Sequence, residues 1–392
     1  MEEIILRFPH LAEKIFEKKT NEGLAKSREG ARLWQKFIDE KNYLWLRIVN
    51  IPTILQEGNS YMHLAAGYGP GMDMFEMILS EEDNKNPKNR IGETPFHVAC
   101  IKGRMNIVII LINKSNELAL DLYIKTQYGY TAFQLACSEG HSEIAELIMK
   151  NAASMNIDLN SKLDHGTTAF HLACHKGHLE IAELIMKNAA SMNIELNSKT
   201  DYVTTAFHIA CGKGHSEIAK LIMKNAASMN IDLNSKDCSF CTAFHEACSN
   251  GHLEIAKLIM KNNASMNIDL NSEDYLGYTA FHKACRKGHL EIAKLIMENA
   301  ASMNIDLNSK NEFGCTAFYS ACHNDRPEIA KLIMENAASM NIDLNSKDKN
   351  ARTAFHQAYL HGKCYFELIK LTKFSTQTKP PFTFDGHDTG FP

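Results

Sequence analysis

Thr168-Ala-Phe-His-Leu-Ala-Cys-His-Lys-Gly-His-Leu-Glu-Ile-Ala-Glu-Leu-Ile-Met-Lys-Asn188 recurs, with variations, along most of the chain. The threonine that opens it returns at Thr94, Thr131, Thr168, Thr205, Thr242, Thr279, Thr316 and Thr353, a constant step of 37 residues. Ser60, in Ser-Tyr-Met-His-Leu-Ala-Ala, opens a less regular copy 34 residues before Thr94. Nine copies at this period describe an array of stacked units, not one closed globule.

The physics of one copy is legible. Thr168 suits an N-cap, its hydroxyl accepting a backbone N–H two or three residues on. Phe170, Leu172, Ala173 and Cys174 make a short apolar helix. Gly177 can take the left-handed conformation that ends it, and the chain reverses. A second helix follows, with Ile181, Leu184, Ile185, Ala189 and Met192 spaced along one face. Neither helix can bury its stripe alone, so the copies must stack.

The pattern Thr-x-x-His-x-Ala-x-x-x-Gly-His-x-x-Ile-x-x-Leu-Ile resembles the ankyrin repeat, and the likeness covers roughly residues 58–372. It implies an all-α ankyrin-repeat solenoid. Only Thr94-Pro95 keeps the proline that usually follows the threonine; the other copies have alanine. The period exceeds the usual ankyrin length by about four residues. The continuing apolar stripe reads as a lengthened second helix, and a longer loop over residues 193–198 is the rival. In the copy at Thr316, Asp325-Arg326 replaces Gly-His and Pro327 follows. Aspartate tolerates left-handed backbone and proline suits a helix start, so that copy is expected to survive with an altered turn.

Composition is ordinary for a soluble protein: 392 residues, 45% hydrophobic, 22% charged, formal net charge −4. No long basic run argues for nucleic acid. No apolar run approaches a membrane span. The first residues, Met1-Glu-Glu-Ile-Ile-Leu-Arg7, lack the basic and apolar regions of a secretory leader. Of eleven cysteines, seven (Cys100, Cys137, Cys174, Cys211, Cys248, Cys285, Cys322) share one first-helix position, where a thiol acts as a small buried hydrophobe. These features point to a reducing cytosol or nucleus, or a host cytosol.

Residues 1–50 stand outside the repeat. Pro9 opens a helix with Leu11, Ile15 and Phe16 on one side, Asn21 caps a second, and Trp34, Phe37 and Ile38 give a third its apolar face. The stretch resembles an F-box at Phe8-Pro9, Ile15-Phe16, Leu24, Trp34, Phe37 and Leu44-Trp45, and departs from it at Lys19 and Gly30. The resemblance implies docking on the Skp-type adaptor of a cullin–RING ubiquitin ligase through Phe8, Pro9, Leu11, Ile15, Phe16, Leu24, Trp34, Phe37, Leu44 and Trp45. A degenerate helical cap sealing the first repeat is the other reading. The expected layout is an F-box-like unit at 1–50, a join at 51–59, the array at 60–372 and a tail at 373–392. The tail is read as poorly ordered, with a docked extension as the alternative. The polar stretch 80–92 is expected to be the loosest loop of the array.

No phosphate loop, nucleophile elbow or kinase motif occurs, so no enzyme site and no cofactor is expected. Cys238-Ser-Phe-Cys241 with His245 is the one cluster with metal-like spacing, and a single pair falls short of the four ligands of a closed zinc site. No metal is expected there. The recurring histidines read as structural; the ankyrin likeness implies that the first of each copy ties neighbouring turns together.

Differences between the copies carry the functional reading. Glu-Ile-Ala-Glu/Lys-Leu-Ile-Met recurs almost verbatim, whereas the segment before each threonine and one first-helix position vary. By the likeness, those positions line a recognition groove, with drift after duplication as the alternative. Candidate target-binding residues are Tyr202, Phe240, Glu246, Tyr275, Tyr278, Lys283, Arg286 and Phe313. Two functions fit: a ligase substrate receptor gripping a target protein, or a scaffold in which residues 1–50 are only a cap. The chain is expected to be monomeric by itself.

Overall fold

A computed structural model describes residues 58–68, 75–76, 79 and 84–361. The F-box-like unit, most of the join, the tail and the second helix of the last copy lie outside the described residues. All regular structure described is helical, apart from one isolated antiparallel bridge between Lys347 and Thr353. No helix described is long and apolar enough to cross a membrane. Two compact units, 1–201 and 202–392, are distinguished and are taken in turn.

The first unit holds α1 (Tyr61–Tyr68), α2 (Pro95–Ile101), α3 (Met105–Asn113), α4 (Ala132–Glu139), α5 (Ser142–Asn151), α6 (Ala169–Lys176) and α7 (Leu179–Asn188). The first helices of the copies (α1, α2, α4, α6) pack in one row and the second helices (α3, α5, α7) in another. The second unit repeats this with α8 (Ala206–Lys213), α9 (Ser216–Asn225), α10 (Ala243–Asn250), α11 (Leu253–Met266), α12 (Ala280–Lys287), α13 (Leu290–Asn299), α14 (Ala317–His323), α15 (Pro327–Asn336) and α16 (Ala354–His361). Here α8, α10, α12, α14 and α16 form one row and α9, α11, α13 and α15 the other.

Each first helix starts as its threonine dictates. Thr168, Thr205 and Thr279 accept the N–H of the histidine three residues on, and that histidine's Nδ1 accepts the threonine N–H, which closes a capping box. Both orphan donors are satisfied. Phenylalanine, alanine and cysteine of the same helix are buried; the seven in-register thiols are fully buried, as their spacing implied.

The glycine that ends a first helix does two things. Gly140 has φ +85°, and a Cβ there would sit 2.6 Å from the ring of His178 in the next copy. That ring donates its Nε2–H to Ser138 O at 2.9 Å, covering an end carbonyl of α4. In the second unit His252 and His289 do the same to Gly212 O and Ser249 O. The Gly-His pair therefore links a helix stop in one copy to a helix start in the next. Arg326 takes this part where histidine is missing, its Nε donating to Arg286 O at 3.2 Å. Asp325 adopts φ +52° and Pro327 occupies the first turn of α15, as read from the sequence.

The lengthened second helix is corrected. α7 stops at Asn188, and residues 189–193 form a turn closed by Asn193 at φ +51°. Ile194 N–H returns to Ala189 O at 2.8 Å. Among the described second helices, only α11, in which Asn263 stands where α7 is followed by Ala189, continues to 14 residues. In the other described copies the added length goes into turn and loop, and the left-handed asparagine, Asn193 after α7 and Asn267 after α11, closes the segment in both cases. The loop has its own work: Asn160 donates to Asn193 O at 2.8 Å and accepts from Glu195 N at 2.9 Å, binding successive copies.

The loop at 80–92 is also tighter at its described end than its polarity suggested. Asn89 is buried; its Oδ1 accepts from Ile91 N and Glu93 N, and its amide donates to Asn59 Oδ1 at 3.0 Å.

Candidate functional site

The segments before Thr242, Thr279, Thr316 and Thr353 in the second unit are hairpin tips built on one device. Asp274 Oδ1 accepts from Leu276 N and Tyr278 N, both at 2.9 Å, an Asx turn that fixes the loop from inside. Asp237, Asn311 and Asp348 do the same at their tips. Successive tips are laddered through the backbone: Cys238 N to Tyr202 O, Tyr275 N to Ser239 O, Glu312 N to Leu276 O, and Lys349 N to Phe313 O, at 2.9–3.0 Å. The segment is thus variable only in part. Its first residue is an anchor, a role that the frequent Asp or Asn five places before the threonine could have disclosed.

From beneath, His208, His245 and His282 donate Nε2–H to Cys241 O, Tyr278 O and Cys315 O of the following tip, at 3.0, 3.0 and 3.1 Å. Backbone donation into Nδ1 leaves the proton on Nε2. Burial pushes His245 and His282 down to about 4, so both are neutral near pH 7. The copy at Thr316 has Tyr319 instead, whose hydroxyl donates to Asp348 Oδ2 at 2.7 Å while Arg352 holds the same oxygen at 3.0 Å.

On this frame Tyr202, Phe240, Tyr275 and Phe313 are 62, 56, 56 and 50% exposed. Large aromatic groups presented this openly on a fixed backbone are the residue types that anchor interfaces. Phe240 has φ +60°, a backbone state that bulky residues rarely adopt; Gly277 and Gly314 take the same place in their tips. The other candidates are placed differently. Tyr278 is half-buried, with Lys283 Nζ 5.4 Å and the Arg286 guanidinium 5.7 Å from its ring centre. Lys283 is committed to the buried Asp274 carboxylate, so its charge is answered within the protein. Glu246 is half-buried and its carboxyl is raised, first by burial and then by Asp237. Arg286 is exposed beside a groove of about 270 Å³ that Tyr278, Phe313, Tyr319, His323 and Arg352 also line.

The Cys-x-x-Cys pair does not converge. Cys238 is exposed and Cys241 is buried at 6% exposure. What the fold brings together instead is Asp237, Cys241 and Glu246, whose ligand atoms all lie within 4.8 Å of one another. Although Cys241 and Cys315 both lie on hairpin tips, where early thiol reactivity is the simple expectation from sequence, both are buried. Their tips fold back, and burial pushes the thiols up to about 12 and about 11. The ten adaptor-docking candidates from Phe8 to Trp45 lie outside the described residues.

A family model described as ankyrin repeats (3 copies) matches residues 62–162, 155–237 and 230–311. Among curated proteins no match to the chain is found.

Proposed function

Because the chain belongs to the ankyrin repeat family, and such repeats form protein–protein interaction modules, we propose that it is a substrate receptor. In this reading the hairpin tips of residues 202–353 hold a target protein. Residues 1–50, through the F-box-like residues from Phe8 to Trp45, dock the Skp-type adaptor of a cullin–RING ubiquitin ligase. The activity is binding and presentation, without chemistry of its own, inside a cytosol or nucleus. The array at 60–372 is the recognition part and 1–50 the docking part.

One observation supports target binding above the rest: the four aromatic side chains stand half or more exposed on successive tips joined by a backbone hydrogen-bond ladder. Aromatic side chains repeated tip after tip are the residue types that anchor protein interfaces. Docking rests on the spacing of Pro9, Ile15, Phe16, Trp34 and Trp45.

Two measurements test the two halves. A photo-crosslinking amino acid at Tyr275 is expected to trap a protein adduct in eukaryotic lysate, while the same group at Lys257 on α11 traps none. Equal trapping at both sites would defeat the tip reading. The adaptor and a cullin are expected to co-purify with the chain, and polar replacement of Pro9 and Ile15 is expected to remove them. Retention of the adaptor by that variant would rule out the docking half. The other reading is a scaffold in which residues 1–50 are only a folding cap. Absence of adaptor from the wild-type preparation would select it.

A further inference from the structure

Three register positions surround the anchor carboxylate of each tip, and the copies differ in how they answer its charge. In the copy at Thr279, Asp274 is paired by Lys283, nine residues on. In the copy at Thr353, Asp348 is paired by Arg352 and also takes the Tyr319 hydroxyl. In the copy at Thr316 the anchor is the neutral Asn311. The copy at Thr242 breaks the rule: the position of Lys283 is held by Glu246, so a second acid faces Asp237 where a cation belongs. Asp237 spends Oδ1 on Ser239 N and Cys241 N and leaves Oδ2 uncommitted. Glu246 takes a hydrogen bond on its carboxylate from the amide of Asn250 at 3.3 Å, and feels Lys283 of the next copy only at longer range, since that ammonium is paired with Asp274. Cys241 adds a thiol that is more than nine-tenths buried, makes no hydrogen bond, and points at both carboxylates.

We propose that Asp237, Cys241 and Glu246 bind one zinc ion, which supplies the positive charge that Lys283 and Arg352 supply elsewhere. The donor set chooses the metal class. Calcium and magnesium take all-oxygen shells, whereas a thiolate beside two carboxylates suits a borderline cation such as zinc. Zinc–ligand distances of about 2.0–2.3 Å put tetrahedral donors roughly 3.5 Å apart, so atoms within 4.8 Å need only a small closure, which half-buried Glu246 can make. Three protein donors leave one position for water, the arrangement of an open zinc site. On binding, the Cys241 sulfur–hydrogen bond breaks, the proton goes to solvent and the sulfur lone pair forms the metal bond. The ion would cross-link the tip that bears Phe240 to the first turn of α10.

The test uses the full chain, reduced and metal-free, titrated with cadmium chloride as a spectroscopic stand-in for zinc. One cadmium per chain is expected, seen as thiolate-to-metal charge-transfer absorbance, with zinc displacing it and calcium and magnesium leaving it. Cys238→Ser should keep the signal and Cys241→Ser should lose it. Asp237→Asn and Glu246→Lys borrow the residues that Asn311 and Lys283 place at the same positions, so the fold is kept, as helical circular dichroism will verify. Each should weaken cadmium binding by about tenfold or more. Absorbance that survives in Cys241→Ser, unchanged affinity in both carboxylate variants, or no signal from the wild-type chain would each overturn the site.

Discussion

Asn271 reaches across to Asn304 of the next copy, its side-chain amide donating to the Asn304 carbonyl at 2.8 Å while its Oδ1 accepts from Asp306 N at 3.0 Å. Asn304 itself has φ +52°. The same pairing recurs from Asn234 to Asn267 and from Asn308 to Asn341, each spanning one repeat. Asparagine is needed at both ends for different reasons, one as donor and acceptor, the other as the residue that tolerates left-handed backbone. The four residues beyond the usual repeat length thus create a third line of ties, beside the two rows of helices.

Asn271→Ala removes two of these hydrogen bonds at an exposed site, where each contributes about 0.5–1.5 kcal/mol net. A loss of about 1–2 kcal/mol is expected in urea unfolding of the full chain. Asn271→Asp keeps the acceptor and loses the donor, so it should fall between the two. A wild-type midpoint in Asn271→Ala would show that the ladder is an ornament of the loop.

How much of this was readable beforehand follows from where each interaction closes. Contacts inside one copy were legible: Thr279 capping α12, His282 completing the box, Gly288 ending the helix at φ +90°. So was the left-handed role of Asp325, because backbone preference is a local property. Contacts between copies were legible only where the ankyrin likeness supplied them, as for the first histidine of each copy. The tie from Asn271 to Asn304 or from His289 to Ser249 O was not, since it depends on how far one copy is rotated on the next. The pairing of Lys283 with Asp274 hid for another reason. Nine residues separate them, and only the hairpin's fold back over α12 makes them neighbours.

Thiol labelling separates the cysteines by burial. Cys238 is the one exposed cysteine among those described and should react with a maleimide first. The seven in-register thiols are fully buried, and Cys241 and Cys315 nearly so, so all nine should wait for unfolding. Mass spectrometry of the singly labelled species should place the adduct on Cys238 when Cys364, outside the described residues, is replaced by serine. Native-state labelling of Cys315 would mean that its tip opens far more readily than its hydrogen bonds imply.

Acid should weaken the array before carboxylates enter. Burial holds His63, His97, His245 and His282 down near 4, against 6.5 for an exposed histidine. With the folded value lowered, the unfolded chain binds protons first as pH falls. Stability is therefore full above about 6.5, declines toward about 4 and levels below that. At about pH 5 each such histidine costs at most about 2 kcal/mol by linkage. Replacing His282 with glutamine, which serves at Gln134, should keep the capping box and flatten that histidine's share of the slope. An unchanged slope would show that His282 protonates freely in the folded chain.

Recognition, finally, should distinguish Tyr275 from Tyr278 although they are three residues apart. Tyr275 is exposed and holds its place through its backbone N–H to Ser239 O, which alanine also makes. Tyr275→Ala should therefore weaken capture of the cross-linked partner by about 1–2 kcal/mol or more, as interface anchors do, with no change in melting temperature. Tyr278 meets the edge of the His282 ring at 5.7 Å and lies under Lys283 and Arg286. Tyr278→Ala removes that support, so it should lower stability as well as binding, and the two losses should be separable by measuring affinity well below the melting temperature. Glu254 and Lys257 pair with each other at 2.8 Å on the exposed surface of the second helix α11, outside the tips; alanine at both should leave affinity intact. If Glu254 and Lys257 control binding while Tyr275 does not, the partner sits on the second-helix side, and the aromatic tips need another explanation.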